Sequence, residues 1–395
     1  MSVFAAPGMR ALLATVALAF TGFSLLLPIS PSWVIAGGAS EVAAGSVTTT
    51  LMLFTILAQL YVNRALRSFG WTPILMAGVL FLSVPAPLQA LSPSLAIVSV
   101  TSALRGVGFG IITVCGATAL TLLVSPAHRG KAVGAYGLAA ALPQLAFASS
   151  APMLADSFGF PIVLILGTVP VLALIWLIPL GQRLTKLASV AEKEPPEVRS
   201  QSLGRMVIVI WPTLMALVIV TSTGGALLTF ANQIAPNSKL ATLALLLLTG
   251  FATPARWAGG ALSDRFGTHH MIPALVIVTA LAALTLSGSL LITGTAWNNV
   301  LLLAGAVLLG SAYGGLQSAT LVRAFHDGGA ANAAKVSVLW NVTFDLGTGI
   351  GALIVGAIAQ SASFALALAC LAILGLAGFA AIRVQDTTSR LDARS

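Results

Sequence analysis

Long runs of Leu, Ala, Val and Ile alternate along this chain with short polar joints. Apolar runs of about 20 residues, with no period-2 alternation, have the length of a helix that crosses a bilayer. Twelve occur, at 11–34, 43–63, 72–91, 95–123, 132–154, 160–180, 206–230, 240–261, 272–292, 299–322, 336–358 and 364–382. Between the sixth and the seventh lies the one long hydrophilic stretch, 181–205, with eight charged residues and the pair Pro195-Pro196. Mixed charge and paired prolines read as a solvated tether. The pattern predicts an all-α membrane protein, with twelve transmembrane helices in two pseudo-symmetric six-helix bundles. Residues 1–180 form the first bundle, 181–205 the linker, and 206–395 the second bundle with a short tail.

Composition supports a lipid surrounding. Charged residues are 7% of the chain and apolar ones 58%, whereas soluble domains carry about 25% charge. In hydrocarbon only helices and closed barrels satisfy the backbone, and the continuous runs select helices. Met1 to Arg10 and the run after them resemble a signal peptide. No small-residue cleavage site closes that run and eleven spans follow, so an uncleaved first helix is expected. Cys115 and Cys370 fall inside apolar runs and read as reduced core residues.

The net charge of +9 raises nucleic acid as a partner until the basic positions are plotted. With twelve spans, both termini and the tether share one side, and 17 of the 19 Lys and Arg fall there. Lys239 lies opposite and Arg105 lies within span 4. The positive-inside rule makes the tether side cytoplasmic and the protein a multi-pass resident of the cell (inner) membrane, with the lipid bilayer and no nucleic acid as its partner. The halves also repeat weakly. The loop after span 2 ends Arg67-Ser-Phe-Gly70 and that after span 8 ends Asp264-Arg265-Phe-Gly267, while His128 and His326 each precede a Lys. Parallel six-helix repeats would produce this.

Three segments carry a family resemblance. Gly260-Ala-Leu-Ser-Asp264-Arg265-Phe-Gly267, preceded by Arg256, closes span 8; Arg105-Gly-Val-Gly108-Phe-Gly110 lies in span 4; Trp340-Asn341-Val-Thr-Phe-Asp345-Leu-Gly347 lies in span 11. Together they resemble the major facilitator superfamily, and the span-11 pattern is similar to its drug- and sugar-efflux-like branch of proton antiporters. The N-terminal signature departs from the family pattern, with Asn63 for the first Gly and Arg67 for Asp. In span 5, Gly134-Ala-Tyr136-Gly137 with Pro143 is only loosely similar to the antiporter signature and lacks its closing Gly-Pro. The resemblance implies secondary transport by alternating access, without a cofactor. It makes Arg64, Arg67, Arg256, Gly260, Asp264, Arg265 and Gly267 a conformational gate, with Arg256 as local partner of Asp264 and Arg265 or as an anchor snorkelling to the headgroups.

Charge within a span costs a few kcal/mol and needs a partner or a cavity. Arg105 is therefore either a contact for substrate or proton, or a clamp onto span 1 near Ser24. Asp345, about 15 Å into span 11, is either a proton carrier or a latch tied to Arg64 or Arg67. By the resemblance, spans 1, 4, 7 and 10 line the path and supply Ser24, Thr221, Tyr313 and Gln317, joined by Asn341 of span 11. One cation among hydroxyls suits a small, largely apolar solute, exported by a monomer in exchange for protons; uptake of a sugar or small organic anion is the alternative. The four His sit in loops with no third ligand beside His269-His270, and no phosphate-cradling loop occurs, so neither a metal site nor an enzyme is expected.

Overall fold

The computed structural model describes residues 6–125, 128–191, 202–292, 294–329 and 332–392. Tether residues 192–201 and the side chain of Asp264 lie outside that set. Among the described residues twelve helices are long and apolar enough to cross a membrane. They are α1 (Met9–Ala36), α2 (Glu41–Phe69), α3 (Trp71–Gln89), α4 (Leu95–Leu123), α5 (Lys131–Phe158) and α6 (Phe160–Val190), then α7 (Gly204–Ile234), α8 (Ser238–Gly260), α9 (Thr268–Leu291), α10 (Ala296–Gly328), α11 (Lys335–Ser361) and α12 (Phe364–Arg383).

Several helices outrun their apolar runs. The helix containing α6 continues to Ala191, inside the stretch whose charge reads as tether. His269 and His270 sit in the first turn of α9, and His326 in the last turn of α10, where the sequence suggests loops. Backbone bonding within a helix does not stop where hydrocarbon ends, so polar residues extend it.

Proline explains where helices break. The ring removes an N–H and collides with the carbonyl four residues back. Pro31 meets Leu27, where α1 divides; Pro152 meets Ala148, where α5 widens into a π turn over Gln144–Ala148; Pro170 meets Leu166, after which α6 tightens into a 3-10 turn over Val169–Ala173. Irregular turns of this kind accompany proline inside a helix.

Cα proximity divides the chain into two compact units: residues up to Ala39 with Thr50–Glu197, and Ser40–Thr49 with Val198 onward. The first turns of α2 thus belong to the second unit, where Thr49 Oγ1 donates to Gly349 O at 2.8 Å and Thr48 Oγ1 lies 3.1 Å from Thr229 Oγ1. Within the first unit α1 packs on α5, and α3 on α4 and α6; within the second α7 packs on α11, and α9 on α10 and α12.

The repeat extends to single residues. In the first unit Gly106 and Gly110 of α4 press on the carbonyl oxygens of Leu51 and Thr55 in α2. In the second, Gly310 and Gly314 of α10 press in the same register on those of Leu248 and Ala252 in α8. A Cβ at any of the four would run into carbonyl oxygen, so only glycine permits these helix approaches. The tight joints α2–α3 and α8–α9 repeat as well. The helix containing α8 runs on to Phe266, so each joint is one glycine at positive φ, Gly70 at 80° and Gly267 at 78°, which an L side chain resists.

Gly314→Ala should therefore destabilise the detergent-solubilised protein by about 1–3 kcal/mol, read as a lower thermal midpoint. Gly137→Ala, where a Cβ meets nothing within 4 Å, should not move it.

Candidate functional site

A polar and aromatic cluster forms in the second unit from α8, α10 and α11. Tyr313, Gln317 and Thr320 stand at i, i+4 and i+7, which puts them on one face of α10. Trp340 and Phe344 stand one turn apart on α11. Arg256 Nη2 of α8 donates to Gln317 Oε1, and Ser318 Oγ donates to Arg256 O at 2.5 Å. Trp340 Nε1 donates to Thr320 Oγ1 at 3.1 Å. Trp340 stacks on Phe344 with centroids 5.7 Å apart, and Tyr313 meets the Phe344 ring edge-on at 5.9 Å. Asp345 is buried, and both it and Arg256 lie within electrostatic reach of Tyr313. Gln317 is 2% exposed and its Nε2 has no acceptor, an omission that costs about 1–3 kcal/mol.

The cluster gives Arg256 a partner that the sequence does not name. The sequence sets it beside the signature loop as partner of Asp264 and Arg265. Its guanidinium also reaches Gln317 of α10, because Gly314 brings α8 and α10 close enough for the side chain to cross. Arg265 lies over the Phe266 ring at 5.2 Å, and the side chain of Asp264 is outside the described residues. Gly267 ends the helix, its N–H bonded to Ser263 O at 3.0 Å; Gly260 has no neighbour within 4 Å of a built Cβ. Arg64 and Arg67 are exposed on α2.

In the first unit Arg105 is 1% exposed. Its Nη2 donates to Gly22 O of α1 at 3.2 Å, while Nε has no acceptor. The same two helices meet through Phe20, Phe23 and Phe109, the last two stacked at 3.7 Å. Ser24 is buried two residues beyond the carbonyl that Arg105 holds, and its hydroxyl has no partner. Two other candidates spend their hydrogen bonds on their own helices: Thr221 Oγ1 bonds Leu217 O at 2.8 Å and Asn341 Nδ2 bonds Ser337 O at 2.8 Å.

Two features escape sequence reading. Gln89 of α3 ties Ser30 of α1 (2.7 Å) to Ser102 of α4 (3.4 Å), and its carbonyl takes the Trp33 indole N–H at 2.8 Å. A single Gln inside an apolar run is the only sequence signal. A cavity of about 270 Å³ also opens among the linker-side ends of α7, α9, α10 and α12, away from the aromatic cluster, lined by Thr213, His269, Arg323 and Asp327. Arg323 Nε and Asp327 Oδ2 pair there at 2.5 Å.

The sequence profile described as Major Facilitator Superfamily matches residues 12–352. The chain belongs to that superfamily. Solved structures share its fold. A crystal structure of a mutant of the nucleoside transporter NupG aligns with TM-score 0.73 at 11% identity, covering 95% of this chain and 99% of that one. A bacterial homolog of the human lysosomal transporter Spinster, inward-facing and unoccupied, aligns with TM-score 0.71 at 14% identity, covering 95% of this chain and 96% of that one. Its inward-facing, occupied form gives 0.71 at 14%, covering 96% of each chain. No curated protein matches the sequence significantly. This Major Facilitator Superfamily member is a multi-pass integral membrane protein and a secondary transporter, not an enzyme.

Counting from the matched glycines, Leu309 occupies in α10 the position that Arg105 occupies in α4. The bundle packing accepts leucine there, and an apolar residue of similar volume replaces a buried charge at little or no loss of stability. Arg105→Leu should unfold at the same temperature as wild type or higher, yet carry solute at under a tenth of its rate. A lowered midpoint with full transport per folded molecule would make Arg105 a structural clamp.

Proposed function

We propose that this Major Facilitator Superfamily member exports a small, largely apolar organic solute in exchange for protons, its two bundles alternating access to a midplane site. The observation that carries the reading is Asp345, a carboxylate buried about 15 Å into α11 and sharing Tyr313 as a neighbour with Arg256. An ionised carboxylate is costly in a low-dielectric interior unless paired, and protonation removes that cost. A group that is paired in one state and protonated in another carries protons as the states interchange. The span-11 motif from Trp340 to Gly347 supports the efflux-like branch, and the basic residues on the tether side support cytoplasmic termini in the cell membrane. The protein acts as a monomer.

One observation favours the second reading, proton-linked uptake of an organic anion. Arg256 adds a second cation within the spans, hydrogen-bonded to Gln317.

Proteoliposomes under an imposed pH gradient separate the readings. Export predicts solute accumulation on the acidic side, collapsing when the gradient is dissipated; accumulation on the alkaline side, in company with protons, would establish uptake. Indifference to the gradient removes the proton from the mechanism. Asp345→Asn should abolish gradient-driven flux and leave solute counterflow intact.

A further inference from the structure

The matched glycines allow each residue of the aromatic cluster to be set against its counterpart in the first unit. Arg256 follows Ala252 by one turn, as Gln59 follows Thr55. Tyr313 precedes Gly314 by one residue, as Phe109 precedes Gly110; Gln317 follows it by three, as Thr113 follows Gly110. The same helix packing is thus achieved in the first unit with Gln59, Phe109 and Thr113, none of them charged. Packing does not call for a guanidinium at position 256, nor for the amide that holds it.

We propose that the second unit binds an aromatic carboxylate, its ring against Trp340, Phe344 and Tyr313 and its carboxylate on Arg256 and Gln317. This rests on the reading of the chain as a carrier of a small organic solute, in either direction, and names the class of that solute. The three rings are half-buried and Arg256 is exposed, so both halves of the site are reachable. A guanidinium presents five donors in a planar fork, and one bond to Gln317 Oε1 leaves the fork able to meet a carboxylate. Gln317 is the positioning residue. Its Oε1 fixes the guanidinium, and its buried Nε2, which has no acceptor, is a donor the ligand carboxylate can satisfy. Stacked and edge-on rings offer both a face and an edge to an incoming ring, an arrangement that aliphatic side chains cannot reproduce.

Asp345 gives the inference its sign. It lies near the same Tyr313 as Arg256 and competes with an incoming carboxylate for positive charge. Were the ligand an organic cation, Asp345 would be its anchor and Arg256 an obstacle. The cavity lined by Arg323 and Asp327 offers no comparable fork, since Arg323 already meets a carboxylate in its own helix.

The test is equilibrium binding of radiolabelled benzoate to the full-length protein in lipid nanodiscs, with cyclohexanecarboxylate, benzyl alcohol and benzylamine as competitors. Saturable binding is expected, with unlabelled benzoate the best competitor. Arg256→Gln should weaken it about tenfold or more and Trp340→Leu about threefold or more. Asp345→Asn should bind as tightly as wild type or tighter, and Lys239→Gln, an exposed cation at the opposite end of α8, should change nothing. Where Arg256→Gln fails to fold, Gln317→Leu and Trp340→Leu carry the same expectation. The proposal is overturned by absence of saturable benzoate binding, by benzylamine competing best, or by folded Arg256 and Trp340 variants that bind like wild type. Benzoate bound but never transported would uphold this site and defeat its role in transport. Proton-driven flux of another solute with no benzoate binding would do the reverse.

Discussion

Hydrocarbon offers a backbone amide nothing to bond to, and the rest of this structure follows from that. Each unsatisfied N–H or C=O costs several kcal/mol in lipid, so the chain crosses as helices and stays helical on both sides of its breaks. The π turn before Pro152 and the 3-10 turn around Pro170 are that rule applied to residues that cannot obey it directly. Hydroxyls obey it too. Thr15, Thr21, Thr118, Thr223 and Thr279 each donate to the carbonyl four residues back. Most hydroxyls in the spans are therefore consumed locally, and a count of Ser and Thr along a helix says little about what it can bind.

The same constraint governs how helices meet. With no water to expel between them, close contact supplies the attraction, and glycine permits the closest contact. That is why the pairs at Gly106 and Gly110, and at Gly310 and Gly314, recur in one register in both units, together with the single-glycine joints at Gly70 and Gly267. Against this symmetric frame the charges are asymmetric. Arg105 faces Leu309 as its counterpart, and Arg256 faces Gln59. What repeats in the two halves answers to packing; what does not repeat has to be explained by something else.

The number and limits of the spans were legible because hydropathy integrates over about 20 residues and does not depend on side-chain direction. The limits slipped mostly where polar residues prolong a helix, as at Phe69, Ala191, Phe266, His269, His326 and Asp392. The family could be read from three short motifs that lie where helices end or touch. The Arg256–Gln317 bond could not be read so easily, because it depends on the rotation of α8 and α10 about their axes, and a shift of one residue in either turns a side chain by about 100°. A signal was nonetheless present. The correspondence of the loops ending in Gly70 and Gly267, carried back into the spans, sets Arg256 against Gln59, one turn beyond the small-residue contact. Reading it required treating that loop match as a register and not as a weak likeness. For Arg105 the sequence offered a clamp onto α1 near Ser24 beside a contact for substrate or proton, without naming the carbonyl, since a backbone group such as that of Gly22 leaves no mark in the residue type.

Asymmetric charge has an energetic consequence for the cycle. An arginine or aspartate in a span costs about 2.5–3.5 kcal/mol on the insertion scale, and the leucine at 309 avoids that cost in an equivalent position. The buried Arg105 Nε and Gln317 Nε2, both without acceptors, add to it. A cost of this kind differs between states whenever one state supplies a partner, a proton or an anion that another does not. A ligand can shift a conformational equilibrium only by its differential affinity for the states. Groups already satisfied in every state, such as the hydroxyls bonded within their own helices, contribute nothing to that difference. Gln317 Nε2, buried without an acceptor beside Arg256, is a group through which a bound solute can sense which state the bundles are in.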